Sequence, residues 1–138
     1  MISGTYYEPP EKWKFDALKC RYLSYGINNS TLDFEIFEKY KGIVKTKNFL
    51  QALSECITID DNAAIDISVD FVISPVYFHY SGYIRQTMAR RLKNVKLSKQ
   101  QTLRIVDGVQ ALISSGKTGE EFEQIHKLYL KVVENKNI

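Results

Sequence analysis

Cysteine is scarce in this chain, and the shortage removes two fold classes at once. Cys20 and Cys56 are the only two. They cannot build a disulfide-stapled scaffold, and without a Cys-x-x-Cys spacing they do not mark a zinc ribbon or a dithiol redox centre. Each sits beside apolar neighbours, as reduced core thiols do. Histidine is as rare, with only His79 and His126. Neither belongs to a His-x-x-x-His or His-Glu-x-x-His pattern, and metal sites draw on several such ligands together. No metal or cofactor site is therefore expected. No apolar run approaches the ~20 residues of a membrane helix, so no membrane partner is expected. Glu8 and Glu11 occupy the stretch where a secretory signal would need its apolar segment, which makes the cytoplasm the expected location. A phosphate-binding loop is missing too. Gly116-Lys117-Thr118 resembles its end, but Ala111 stands where the first glycine belongs and a helical pattern precedes it.

What the chain has instead is sorted charge. Between Asn48 and Asp70 every charged residue is acidic: Glu55, Asp60, Asp61, Asp66 and Asp70. Between Phe71 and Val106 every one is basic: Arg85, Arg90, Arg91, Lys93, Lys96, Lys99 and Arg104. Such blocks either create opposed surface fields or cancel when the chain folds. The net charge of +3 is too small to imply a polyanion partner by itself.

Hydrophobic periodicity predicts one all-α domain over 1–138, after an irregular lead-in at 1–9. Six or seven short helices would form either an orthogonal bundle or a short α-superhelix. Pro10 can open a helix running to about Tyr25, with Gly26 as its stop. Residues 32–40 suit a short helix or a strand, and the acidic first turn favours helix. Thr46 can cap a helix over 47–56. Residues 57–71 carry the competing signal. Ile57, Thr58 and Ile59 are β-branched, and Ile65, Ile67, Val69 and Phe71 alternate with polar residues as in a half-buried strand. A helix capped by Asp60 or Asp61 is the preferred reading there. Ser74-Pro75 resembles a helix start, which predicts a helix over 75–94 with Tyr77, Tyr80, Ile84, Met88, Leu92 and Val95 as its apolar stripe. Ser98 and Gln101 have capping-box spacing ahead of the next helix, and Gly116 is its stop. Thr118 and Glu121 repeat that spacing ahead of the last.

Candidate site residues follow from chemistry. Arg85, Arg90, Lys93, Lys96, Lys99 and Arg104 could neutralise phosphates along a positive surface, which makes RNA or DNA a second class of partner. Arg85 is expected on the side of its helix opposite the apolar stripe. Arg91 falls inside the apolar sector, so a buried ion pair with Asp66 or Asp70 is expected. Tyr6, Tyr7 and Trp13 are aromatic candidates for a partner contact, with packing onto the core as their alternative. No catalytic constellation emerges; a small enzyme acting on an anionic substrate would need His79 to meet Asp66 or Asp70 across the fold, with Arg91. The preferred function is a non-enzymatic helical interaction or adaptor module. A homodimer is a further expectation, through the apolar face of the last helix.

Overall fold

Every regular element among the described residues is a helix. The computed structural model describes residues 9–26, 32–78, 80–119 and 122–136. Seven α-helices follow one another: α1 (Phe15–Leu23), α2 (Phe34–Glu38), α3 (Gly42–Cys56), α4 (Asn62–Ile73), α5 (Ser81–Leu92), α6 (Lys99–Ser114) and α7 (Phe122–Lys136). Tight 3-10 turns occupy Glu11–Trp13 and Ile57–Ile59. Together they form an orthogonal bundle. Among the described residues, no helix is long and apolar enough to cross a membrane.

The centre of the bundle is α4, packed by α1, α3, α5 and α6. Asp61 caps it, its side chain accepting from the Ala64 N–H at 3.2 Å. Being covered on most sides, α4 buries Ile65 and Ile67 as well as Val69, Phe71 and Val72. That explains the misleading alternation. A helix buried nearly all round has apolar residues at every phase, and some fall two apart by chance. Asp66 and Asp70, four residues apart, lie on one helical face. The strand signal at 57–71 is thus overturned. Ile57–Ile59 forms a 3-10 turn closed by Asp60 in the left-handed region, φ 60°. Burial of Ile57 outweighs the β preference of its neighbours.

Boundaries in the N-terminal half also differ from expectation. The first helix breaks at Lys14, where extended ψ separates the 3-10 turn from α1 and swings Trp13 inward. Trp13 packs edge-on against Phe71, ring centroids 5.0 Å apart, so this aromatic belongs to the core and not to a partner contact. Tyr6 and Tyr7 lie outside the described residues. Thr46 sits inside α3 rather than ahead of it, and its hydroxyl accepts the Phe15 N–H at 3.1 Å. It does cap a helix, but α1 rather than its own. Below that cap, Phe15, Phe34 and Phe37 surround Phe49 at centroid separations of 5.2, 5.7 and 5.2 Å. Such aromatic pairs each add ~1 kcal/mol beyond area burial.

The C-terminal half follows its signals more closely. Ser98 accepts the Gln101 N–H while the Gln101 side chain returns to the Ser98 N–H, completing the expected capping box. Gly116, at φ 76°, ends α6 as expected. Glu121 of the second capping box lies outside the described residues. Ile125, Leu128 and Val132 are buried, mainly against α5 and α6. The apolar face that suggested dimerisation is therefore consumed within one chain.

Candidate functional site

The basic segment meets three different fates, and these define the candidate surfaces. Arg104, on α6, faces the acidic edge of α4. Its guanidinium contacts Asp66 Oδ1 at 2.6 Å, the Asp66 carbonyl at 3.2 Å and also the Asp70 carboxylate. Arg21, from α1, approaches Asp70 at 2.6 Å and Asp66 at 3.5 Å. The Tyr25 hydroxyl donates to Asp66, and Gln101 Nε2 does so at 3.2 Å. Two arginines and two aspartates thus tie three helices together. Burial disfavours the charged form of Asp66, but donors from Tyr25, Arg104 and Gln101 outweigh it and hold its carboxyl below the usual range. Burial and the bond to Asp66 likewise raise the Tyr25 phenol above its usual value, against the opposing effect of Arg21.

Asp66 and Asp70 are ion-paired, as expected, but not with Arg91. The expected partner projects from α5 toward α3, while the aspartates face α1 and α6. Arg21, Tyr25 and Gln101 were not anticipated. The i, i+4 spacing of Arg21 and Tyr25 was their only local signal. His79 lies outside the described residues.

Arg85 is corrected as well. It is 3% exposed and donates to the Phe71 and Val76 carbonyls, with its guanidinium 5.0 Å from the Phe71 ring centre. These bonds hold the segment between α4 and α5 against the core. Ser74 accepts the Val76 N–H at 3.2 Å, and Ser81 Oγ accepts the Phe78 N–H at 2.9 Å. Chain 74–78 is consequently non-helical, and α5 begins at Ser81 rather than Pro75. Local Ser-Pro chemistry loses to a buried Arg85, a buried Ser81 and the packing of Phe78 on Phe71.

This late start turns tyrosines outward. Tyr80 adopts φ 69°, uncommon for a bulky residue and costing ~1–3 kcal/mol. Tyr77, Tyr80 and Tyr83 are 60%, 48% and 65% exposed. Expected as part of an apolar stripe, Tyr77 and Tyr80 instead reach solvent. Lys47, from α3, stands 4.3 Å above the Tyr80 ring. Beside it a groove of about 190 Å³ runs between α3 and α5, lined by Gln51, Ser54, Glu55, Tyr83, Thr87 and Arg91. Arg91 donates to Ser54 Oγ at 3.0 Å and makes no ion pair among the described residues. Its guanidinium has five donors, so most remain available to a ligand.

Arg90, Lys96 and Lys99 are exposed and make no ion pair among the described residues. Lys93 is half-buried and bonds Gln124 at 3.4 Å. Among the described residues, no cluster of three or more His, Cys, Asp or Glu side chains could hold a metal. Comparison with protein-family models, with curated proteins and with solved structures finds no match to this chain.

Proposed function

We propose that this chain is a non-enzymatic protein-interaction module that docks an acidic peptide segment of its partner on the α3–α5 face. The observation that carries this reading is Arg91, a guanidinium with spare donors, set in a groove beside the exposed ring of Tyr83. Tyrosine and arginine are the side chains that most often dominate interface energetics, because each offers a large contact area with a polar end. Lys47, Arg90 and Arg91 give the face a positive field that would steer an acidic segment, and Glu55 at the groove edge would set its register.

The test is fluorescence anisotropy with a labelled peptide that alternates glutamate and leucine, beside a lysine–leucine control. The acidic peptide should bind and the basic one should not. Tyr83→Ala and Arg91→Gln should each weaken binding about tenfold, the effect of ~1.4 kcal/mol. Equal binding of both peptides, or binding untouched by either substitution, would reject the α3–α5 face.

A further inference from the structure

A second cleft, of about 440 Å³, opens where the turn after α5 meets the flank of α7. Lys93, Lys96 and Lys131 line it, with Thr102 and the flanks of Val95 and Leu97, and no carboxylate does among the described residues. Two of the lysines are already held in place. Lys131 donates to the Lys93 carbonyl, and Lys93 donates to Gln124 Oε1 at 3.4 Å. An ammonium has three donors, so each keeps two for a ligand. Side chains fixed beforehand lose little freedom when a ligand arrives. Lys96 makes no hydrogen bond or ion pair among the described residues.

The chemistry of the lining selects the ligand. Three ammoniums act as point charges, which suits a multiply charged phosphate, whereas a planar carboxylate is matched best by the fork of an arginine. The volume lies in the range of small-molecule sites and well above that of bare phosphate. Val95 and Leu97, both half-buried, supply an apolar wall that a free inorganic ion would leave uncovered. We infer that this cleft binds a small phosphate monoester, with its phosphate among Lys93, Lys96 and Lys131 and a hydrocarbon part against Val95 and Leu97. The site is separate from the α3–α5 groove, and neither depends on the other.

The experiment is calorimetric titration of the full chain with hexyl phosphate, inorganic phosphate and hexanoate, alongside methyl NMR of Val95 and Leu97. Hexyl phosphate should bind about fivefold tighter than either other probe and shift both sets of methyl signals. Lys96→Gln should weaken it about fivefold, which corresponds to ~1 kcal/mol. Lys99→Gln, outside the cleft, should leave it unchanged. Lys131 is spared because its bond to the Lys93 carbonyl also caps α5. Equal affinity for hexyl and inorganic phosphate would overturn the hydrocarbon wall, and no binding of either would overturn the site. A short single-stranded RNA supplies the remaining arm. If it binds far more tightly than hexyl phosphate and weakens similarly with Arg90→Gln, Lys96→Gln and Lys99→Gln, the lysines form a polyanion track and the small-ligand site is rejected.

Discussion

The α4–α6 junction and the rim of α5 draw basic residues from the same stretch of chain and use them in opposite ways. At the junction Arg104 meets two aspartates and a backbone carbonyl, and its charge is cancelled. On the rim Arg91 has one hydroxyl, and Lys96 has no partner among the described residues. The residue types do not explain the difference. The neighbouring helix does, because only α4 presents carboxylates four residues apart on one face. A cancelled charge holds helices together, while an open one is free to meet a ligand. Substitutions at the junction should therefore change stability, and those on the rim should change binding.

The largest effect belongs to Asp66. Asp66→Ala leaves Arg21 and Arg104 short of a partner in a half-buried setting. Removing one member of a fully buried pair costs ~3–5 kcal/mol, and partial exposure reduces this to about 2–3 kcal/mol. Urea denaturation should register the whole loss. The pH dependence carries a specific sign. The native pKa of Asp66 is depressed, so its contribution is fully present above the unfolded value of about 3.9. It is lost as pH falls through the lower native value. Asp66→Asn should flatten this acid limb. Tyr25 has the opposite sign, its native pKa being raised. Its contribution is present below the unfolded tyrosine value and lost as pH rises through the native one, and Tyr25→Phe should remove that alkaline loss.

Next comes Gly108, on the same junction. Asp66 meets Gln101 and Arg104, Asp70 meets Arg104, and Ile73 meets Gly108, so contacts climb both helices in the same direction and the pair runs parallel. A Cβ at Gly108 would lie 2.6 Å from Ile73 Cβ and 2.7 Å from its Cδ1. Overpacking costs ~1–3 kcal/mol, against a gain of ~1 kcal/mol in helix propensity. Gly108→Ala should lower stability by about 1 kcal/mol in the same denaturation assay. Ile73→Ala should restore only part of this, because the Ile73 Cβ would remain. Full tolerance would mean that the charge network, and not close approach, sets the helix separation.

Ser68 lies between the two regimes, neither cancelled nor open to water. Its hydroxyl is buried on α4 and has no hydrogen-bond partner among the described residues. An unsatisfied buried hydroxyl costs ~1–3 kcal/mol, so Ser68→Ala should raise the melting temperature through a gain of about 1 kcal/mol. An unchanged or lower value would place an unseen acceptor beside it.

How much of this was readable beforehand depended on distance along the chain. The capping box at Ser98 and the stop at Gly116 each involve residues within a few positions, and local pattern was sufficient; at the start of α4 it narrowed the cap to Asp60 or Asp61, and the left-handed turn at Asp60 leaves Asp61 as the cap. Failures came where a distant group decided the outcome. Thr46 caps α1 from 31 residues away. Arg85 fixes the start of its own helix by binding carbonyls at Phe71 and Val76. Hydrophobic spacing gave α5 a buried face, and Tyr80 left it because the helix begins at Ser81 rather than Pro75. Arg85 lies seven residues before Leu92, within about 20° of it on the wheel, so the helix itself turns Arg85 inward and only its basic side chain argued for solvent. For the candidate sites, the basic block was visible as a composition. Its division into cancelled and open members required knowing which helix α4 would turn its aspartates toward. Lys131 and Thr102, which complete the lysine cleft, carried no signal at all.

The smallest effect gives the comparison its finest test. Lys99 stands at the first position of α6, exposed and without an ion pair among the described residues. A cation there opposes the positive end of the helix dipole, which costs about 0.3–1 kcal/mol near the first turn. Lys99→Gln should therefore raise stability slightly, by about 0.3 kcal/mol, and more so at low salt than at high. It should leave affinity for both the acidic peptide and hexyl phosphate unchanged. A loss of stability instead would mean that Lys99 is held by an internal contact, and the division between cancelled and open charges would then have to move one turn further along the chain.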